Sequence, residues 1–207
     1  MTNFKVPFQE AEAEYIEKKS RFIGHIYKVE TPEQAQEYLR AAQKQYWDAR
    51  HNVYAYILRN GVMRFSDAGE PQGTAGMPTL EVLKKEEVYD VLCVTTRYFG
   101  GVLLGAGGLT RAYGHICKLA LDAAGLAIMR PFAKVLVDCP YPLLEQVRRL
   151  LPRVEGQEAG ADFGASVGLT VFLPGEKLPE LQTQLTELSA GKLTPVFLGE
   201  ELFAQKI

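Results

Sequence analysis

The chain has 207 residues, 47% of them hydrophobic and 23% charged, with 23 Lys and Arg against 25 Asp and Glu. That length holds one or two domains with a sizeable core, and the near-zero charge excludes a domain that grips nucleic acid by bulk electrostatics alone. No apolar run approaches the roughly 20 residues of a membrane helix, and the acidic start lacks the apolar stretch of a signal peptide.

In chain order, the first clear strand is predicted over Arg21 to Val29. A helix follows, with Thr31 as N-cap, Pro32 at its first position and Gln34 closing a capping box. Ala35, Tyr38, Leu39, Ala42 and Tyr46 form its apolar stripe. Asn52 to Leu58 reads as a strand, Asn60-Gly61 as a hairpin turn and Val62 to Phe65 as the returning strand. The loop Ser66 to Gly76 holds three glycines and a proline, and Pro78 to Lys85 is predicted as a short helix. Tyr89 to Thr96 is continuous and β-branched, which places it centrally in a sheet. A helix from about Gly107 to Ala124 carries Leu109, Tyr113, Ile116, Ala120 and Ala123 on one face, and Gly125 is its C-cap.

Arg130-Pro131 marks the expected boundary between a domain of residues 1–130 and one of 131–207. Beyond it, strands are predicted at Lys134 to Cys139, Arg153 to Ala159, Ser166 to Leu173 and Thr194 to Phe203. Helices are predicted at Tyr141 to Leu151 and through Leu178, Leu181, Leu185 and Leu188. The order βαββαβ is the ferredoxin-like pattern. Residues 1–129 hold 15 basic and 15 acidic side chains, and 130–207 hold 8 and 10. The first domain's positive charges nevertheless fall on distinctive segments: Lys18-Lys19-Ser20-Arg21, Arg50-His51, Arg64, Arg97 and Arg111.

Five glycines lie between Arg97 and Arg111: Gly100, Gly101, Gly105, Gly107 and Gly108. They separate a strong strand from a strong helix. Helix N-termini present unpaired N–H groups and partial positive charge, and glycine lets an anion approach them. Tight turns and close packing require glycine equally, so both readings stand. The segment is neither a Walker A loop nor a complete dinucleotide fingerprint. Asp67 and Glu70 are spaced for a metal or for acid–base work, but with no third ligand nearby a turn cap and an Arg partner are the simpler roles. His51 is the best placed of three histidines, yet no nucleophile sits in an elbow motif. Trp47 reads as a helix-end anchor rather than a stacking platform. Cys93, Cys117 and Cys139 fit neither a CxxC metal site nor a disulfide framework, and suit buried positions in a reducing cytoplasm. No catalytic residue, metal site, cofactor or sequence-specific DNA motif is legible.

Four segments carry a resemblance: Lys19 to Ile23, Asp48 to Tyr56, Phe65 through Gly76, and Arg97-Tyr98-Phe99-Gly100-Gly101 through Tyr113. Together they resemble the first domain of the YigZ/IMPACT family, and residues 131–207 resemble the ferredoxin-like C-terminal domain of its bacterial members, so the resemblance covers almost the whole chain. The resemblance implies an α+β protein: a ribosomal protein S5 domain 2-like first domain, then a ferredoxin-like second. It also implies likeness to the last two domains of the translocation elongation factor, and a role in translational regulation. It brings no catalytic residues. Two positions depart from the family pattern: Ala68, where a second acidic residue is frequent, and Met77, where a basic one is common. The expected function is therefore a non-catalytic regulator that binds ribosome, RNA or a translation factor. The expected binding face comprises Arg21, Arg50, His51, Asp67, Glu70, Arg97, Tyr98, Gly100, Gly101, Gly105, Gly107, Gly108, Thr110 and Arg111. The alternative is an enzyme that holds a nucleotide or phosphorylated small molecule at the glycine-rich loop.

Overall fold

The computed structural model describes residues 3–207. They divide into two compact units: residues 3–129 with Ala204–Ile207, and Arg130–Phe203.

The first unit is built on an antiparallel sheet of β2 (Ala11–Glu17), β3 (Ser20–Lys28), β4 (His51–Ile57), β5 (Met63–Ser66) and β6 (Val91–Tyr98), in the order β2-β3-β6-β4-β5. The β-branched run sits at the centre, as its composition predicts, and is buried from Val91 to Arg97. Pairing on both edges leaves none of its backbone polar groups to water. Helices α2 (Gly76–Lys85) and α3 (Ala106–Ala124) cover one face through Leu80, Leu83, Cys117, Ala120 and Leu121. Helix α1 (Pro32–Gln45) covers part of the other through Ala35, Leu39 and Ala42. Thr31 Oγ1 accepts from the Gln34 N–H as predicted. Gln34 Oε1, however, accepts from the Glu30 N–H at 2.7 Å, so the reciprocal bond falls one residue before the cap.

Strands β1 (Phe4–Pro7) and β2 were not legible in sequence. In β2 the half-buried positions are Ala11, Ala13, Tyr15 and Glu17, and small or polar residues on the inner face leave little hydrophobic alternation to read. On α3, Leu109, Tyr113, Ile116 and Ala120 are buried as predicted, whereas Ala123 is exposed and Ala124 takes the inner position. The predicted 4-3-4-3 spacing repeats every 3.5 residues, and a helix of 3.6 residues per turn drifts from it by about 20° per heptad, which carries Ala123 off the inner face.

The second unit is ferredoxin-like. Its strands are the later part of β7 (Leu126–Cys139), β8 (Gln157–Phe163), β9 (Val167–Pro174) and β10 (Val196–Lys206), and its helices are α4 (Leu144–Leu150) and α5 (Leu178–Ser189). β9 pairs antiparallel with both β7 and β8, and β10 pairs with β7. Val135, Val137, Leu169 and Val171 meet Leu144, Val147, Leu181 and Leu185 in one core. The strand expected from Arg153 begins instead at Gln157, because Pro152 opens a 3-10 turn over Leu151–Val154 and Glu155 then turns left-handed at φ 53°.

Candidate functional site

Strand directions collect four connections at one end of the first unit's sheet. These are the β2–β3 turn (Lys18-Lys19), the α1–β4 turn (Tyr46 to Arg50), the β5–α2 loop (Asp67 to Ala75) and the β6–α3 loop (Phe99 to Gly105). Every expected site residue lies on these connections or on the ends of the strands and helices they join, but the fold divides them into an inner and an outer set.

The inner set is a buried polar cluster. Arg97 Nη1 donates to Glu70 Oε1 at 2.7 Å, with the two side chains only 7% and 3% exposed. The Tyr113 hydroxyl donates to the same oxygen at 2.8 Å. Ser20 Oγ accepts from Arg97 Nη2 at 3.4 Å and from the Gly100 N–H at 3.2 Å. The guanidinium lies over the rings of Phe22 and Phe99. Burial, then the Glu70 carboxylate, pushes the Tyr113 phenol far above its ordinary range, so it acts only as a donor. Arg97, expected to offer charge to a ligand, is instead committed to Glu70 inside the fold. A buried pair of this kind is costly to break from either side.

Asp67 is likewise occupied. Its Oδ2 accepts from the Gly73 N–H at 2.8 Å, and its Oδ1 from the N–H groups of Ala75 (3.0 Å) and Gly76 (2.8 Å). A carboxylate from eight residues upstream thus satisfies the start of α2, whose own N-cap Ala75 has no side-chain acceptor. The Asp67 and Glu70 geometry is that of a cap and an ion-pair partner. Among the described residues, no group of three His, Cys, Asp or Glu is arranged to hold a metal ion. His51 Nδ1 lies 2.9 Å from the Ala68 carbonyl. A carbonyl only accepts, so this nitrogen carries the proton, and the ring braces the same loop.

The glycines have separate physical reasons. A Cβ at Gly100 would overlap the Lys19 carbonyl and the Ser20 N–H. Gly101 and Gly105 have φ of 82° and 72°, where L side chains are strained. A Cβ at Gly108 would come within 3.0 Å of Leu104 Cβ. Gly107 differs: it is exposed, helical, and a Cβ there would have nothing within 4 Å except Arg111 Nη1 at 3.7 Å.

The outer set is solvent-facing. Arg50 and Arg111 are exposed, as are Lys18 and Lys19, and none of the four has an ion-pair partner among the described residues. Arg21 is exposed but bound to Glu14 at 2.8 Å. The Tyr98 hydroxyl donates to Asp48 Oδ1 at 2.8 Å. The start of α3 has no capping side chain and no acidic residue in its first turn. Beside it, Gly108, Thr110 and Arg111 line a groove of about 890 Å³ with Lys18, Tyr15 and His115. Sequence reasoning missed Ser20 and Tyr113 as polar members of the buried cluster, and misplaced Trp47. That residue is 82% exposed and anchors nothing. Its position after an amphipathic helix carried no signal that would tell a buried indole from a bare one.

A sheet backed by two helices, with its polar cluster sealed under glycine loops, followed by a ferredoxin-like unit, defines a two-unit α+β architecture. Comparison with known proteins assigns it. The family model described as Impact N-terminal domain matches residues 18–121, and one described as a domain of unknown function (DUF1949) matches 137–192. The chain belongs to the IMPACT family. It is 34% identical to IMPACT family member YvyE of Bacillus subtilis over 94% of this chain and 90% of that protein. It is 35% identical to IMPACT family member YigZ of Escherichia coli over 88% and 92%. It shares 37% identity with Protein IMPACT homolog of Dictyostelium discoideum over 53% of this chain but only 32% of that protein. A crystal structure described as that of a hypothetical protein superposes with a TM-score of 0.61 at 33% identity, covering 97% of this chain and all of the other.

Proposed function

We propose that the protein is a non-catalytic, translation-associated regulator whose first unit binds a polyanionic component of the translation apparatus, ribosome or RNA. Membership of the IMPACT family supports the setting. The observation that carries the reading is the division of charge at the loop end of the sheet. Asp67, Glu70, Glu14 and Asp48 are each engaged by groups of the same chain, while Lys18, Lys19, Arg50 and Arg111 face solvent with no ion-pair partner among the described residues. Glu70 and Glu14 are offset by arginines, and the carboxylates of Asp67 and Asp48 are held by neutral N–H and O–H donors, so these exposed cations can attract phosphate without the chain being basic overall. The uncapped start of α3 adds partial positive charge next to Arg111.

Co-sedimentation with ribosomes over a salt series tests this. Retention falls as salt rises, and Arg50→Ala and Arg111→Ala weaken it further, because each removes a cation that neutralises a phosphate. Absence of binding at low salt, or unchanged binding in both variants, rejects the reading. The alternative, an enzyme for a nucleotide or phosphorylated small molecule, draws on the groove beside Gly108 and Arg111. It predicts a thermal shift with a nucleotide panel, about 2.7 kcal/mol at 100-fold the dissociation constant.

A further inference from the structure

The loop end of the first unit carries a second feature that phosphate binding does not use. Trp47 is 82% exposed, Leu103 83% and Phe99 52%. Aromatic side chains normally dominate cores, because each removes a large apolar surface from water. Here two remain in solvent on turns that converge with the unpaired cations. The turns are fixed: the Tyr98–Asp48 hydrogen bond joins the end of β6 to the residue after Trp47, and the Arg97 guanidinium sits 5.6 Å from the Phe99 ring centre. The buried Arg97 thus backs one face of Phe99, which stays half exposed, and the Tyr98–Asp48 bond fixes the turn that carries the exposed Trp47.

The β2–β3 turn points the same way. Lys18 and Lys19 have φ of 46° and 66°, the left-handed pair of a two-residue hairpin turn that Asn-Gly adopts with least strain. Two lysines hold these positions against local preference, and both side chains are exposed.

We propose that this end of the sheet binds a single-stranded segment of RNA, with bases stacking on Trp47 and Phe99 and phosphates meeting Lys18, Lys19 and Arg50. The inference rests on the RNA-binding reading above and narrows it to an unpaired strand. Duplex RNA offers phosphates but no free base faces, whereas unpaired bases stack on exposed aromatic rings whatever their sequence. An acidic protein surface would satisfy the lysines, but a single strand alone repeats a planar base beside every phosphate, which matches exposed rings set among cations.

Trp47 is the sole tryptophan, so its fluorescence reports this site alone. Titrating the full chain with a 12-nucleotide oligouridine at low salt is expected to quench it. A blunt-ended RNA duplex of equal phosphate number, and polyglutamate of equal charge, are expected to leave it unchanged. By anisotropy of the labelled oligonucleotide, Trp47→Ala weakens binding about 5- to 100-fold, while Trp47→Phe retains most of the affinity. Both keep the wild-type melting temperature, because the indole packs against nothing. Lys18→Asn with Lys19→Gly relaxes the turn yet lowers affinity and the salt slope. Equal binding of duplex and single strand without quenching overturns the stacking inference but leaves the phosphate reading intact. Quenching by polyglutamate overturns it in favour of an acidic protein partner. Loss of all RNA and ribosome binding removes both readings.

Discussion

Helices α2 and α3 begin alike and end up in opposite states. Each follows a glycine-bearing loop, and each has an N-cap, Ala75 or Gly105, with no side-chain acceptor of its own. At α2 the chain supplies the missing anion: Asp67 reaches across the loop and takes three backbone N–H groups. At α3 the first turn has no side-chain acceptor, and the neighbouring residues are an open glycine and an arginine with no ion-pair partner among the described residues. The same contrast separates Arg97, sealed against Glu70, from Arg111 in solvent. Two glycine-bearing loops of different polarity thus serve different ends. One caps its own helix with Asp67, and the other leaves the start of α3 without a side-chain acceptor.

The largest expected effect breaks the closed side. Glu70→Ala strands the buried Arg97 charge and the Tyr113 hydroxyl, and should lower stability by about 3–5 kcal/mol in urea unfolding. Replacing both partners, Glu70→Leu with Arg97→Met, should cost less than the sum of the single changes, because no uncompensated charge is left buried. Next is Asp67→Ala, which removes the acceptor for α2 and should cost about 1–2 kcal/mol by the same measurement. Equal stability of Asp67→Ala and wild type would dissolve the contrast between the two helix starts.

Smaller effects sharpen the open side. Gly107→Ala should stabilise the protein by about 0.5–1 kcal/mol, since the site is helical and unobstructed. The added methyl group should at the same time weaken ribosome or RNA retention, and a variant that is both more stable and fully binding would show that Gly107 is not kept for an approaching ligand. Arg111→Ala should change stability by less than about 0.5 kcal/mol. Its signature is a reduction of about one in the slope of log affinity against log salt.

Much of the first unit was legible in the sequence. The β-branched run of β6, the Thr31 cap, the Asn60-Gly61 turn and the α3 stripe are local signals that depend on neighbours a few residues away, and the βαββαβ order follows from periodicity in the same manner. β2 was not legible, because small and polar residues occupy its inner face and weaken the pattern. The binding face was legible only as a set of residue types. Sequence placed Arg97 and Arg111 together as candidate charges, and it assigned Trp47 an anchoring role.

By itself the sequence determined the elements from β3 onward to within a few residues, the family motifs and the identity of the polar residues, since each of these is written in nearest neighbours and spacing. Only the tertiary structure decided which polar residues face inward. Glu70 and Arg97 stand 27 residues apart, Glu70 and Tyr113 43, and Ser20 and Arg97 77. Burial and pairing across such separations depend on how strands and loops stack, which no local pattern encodes.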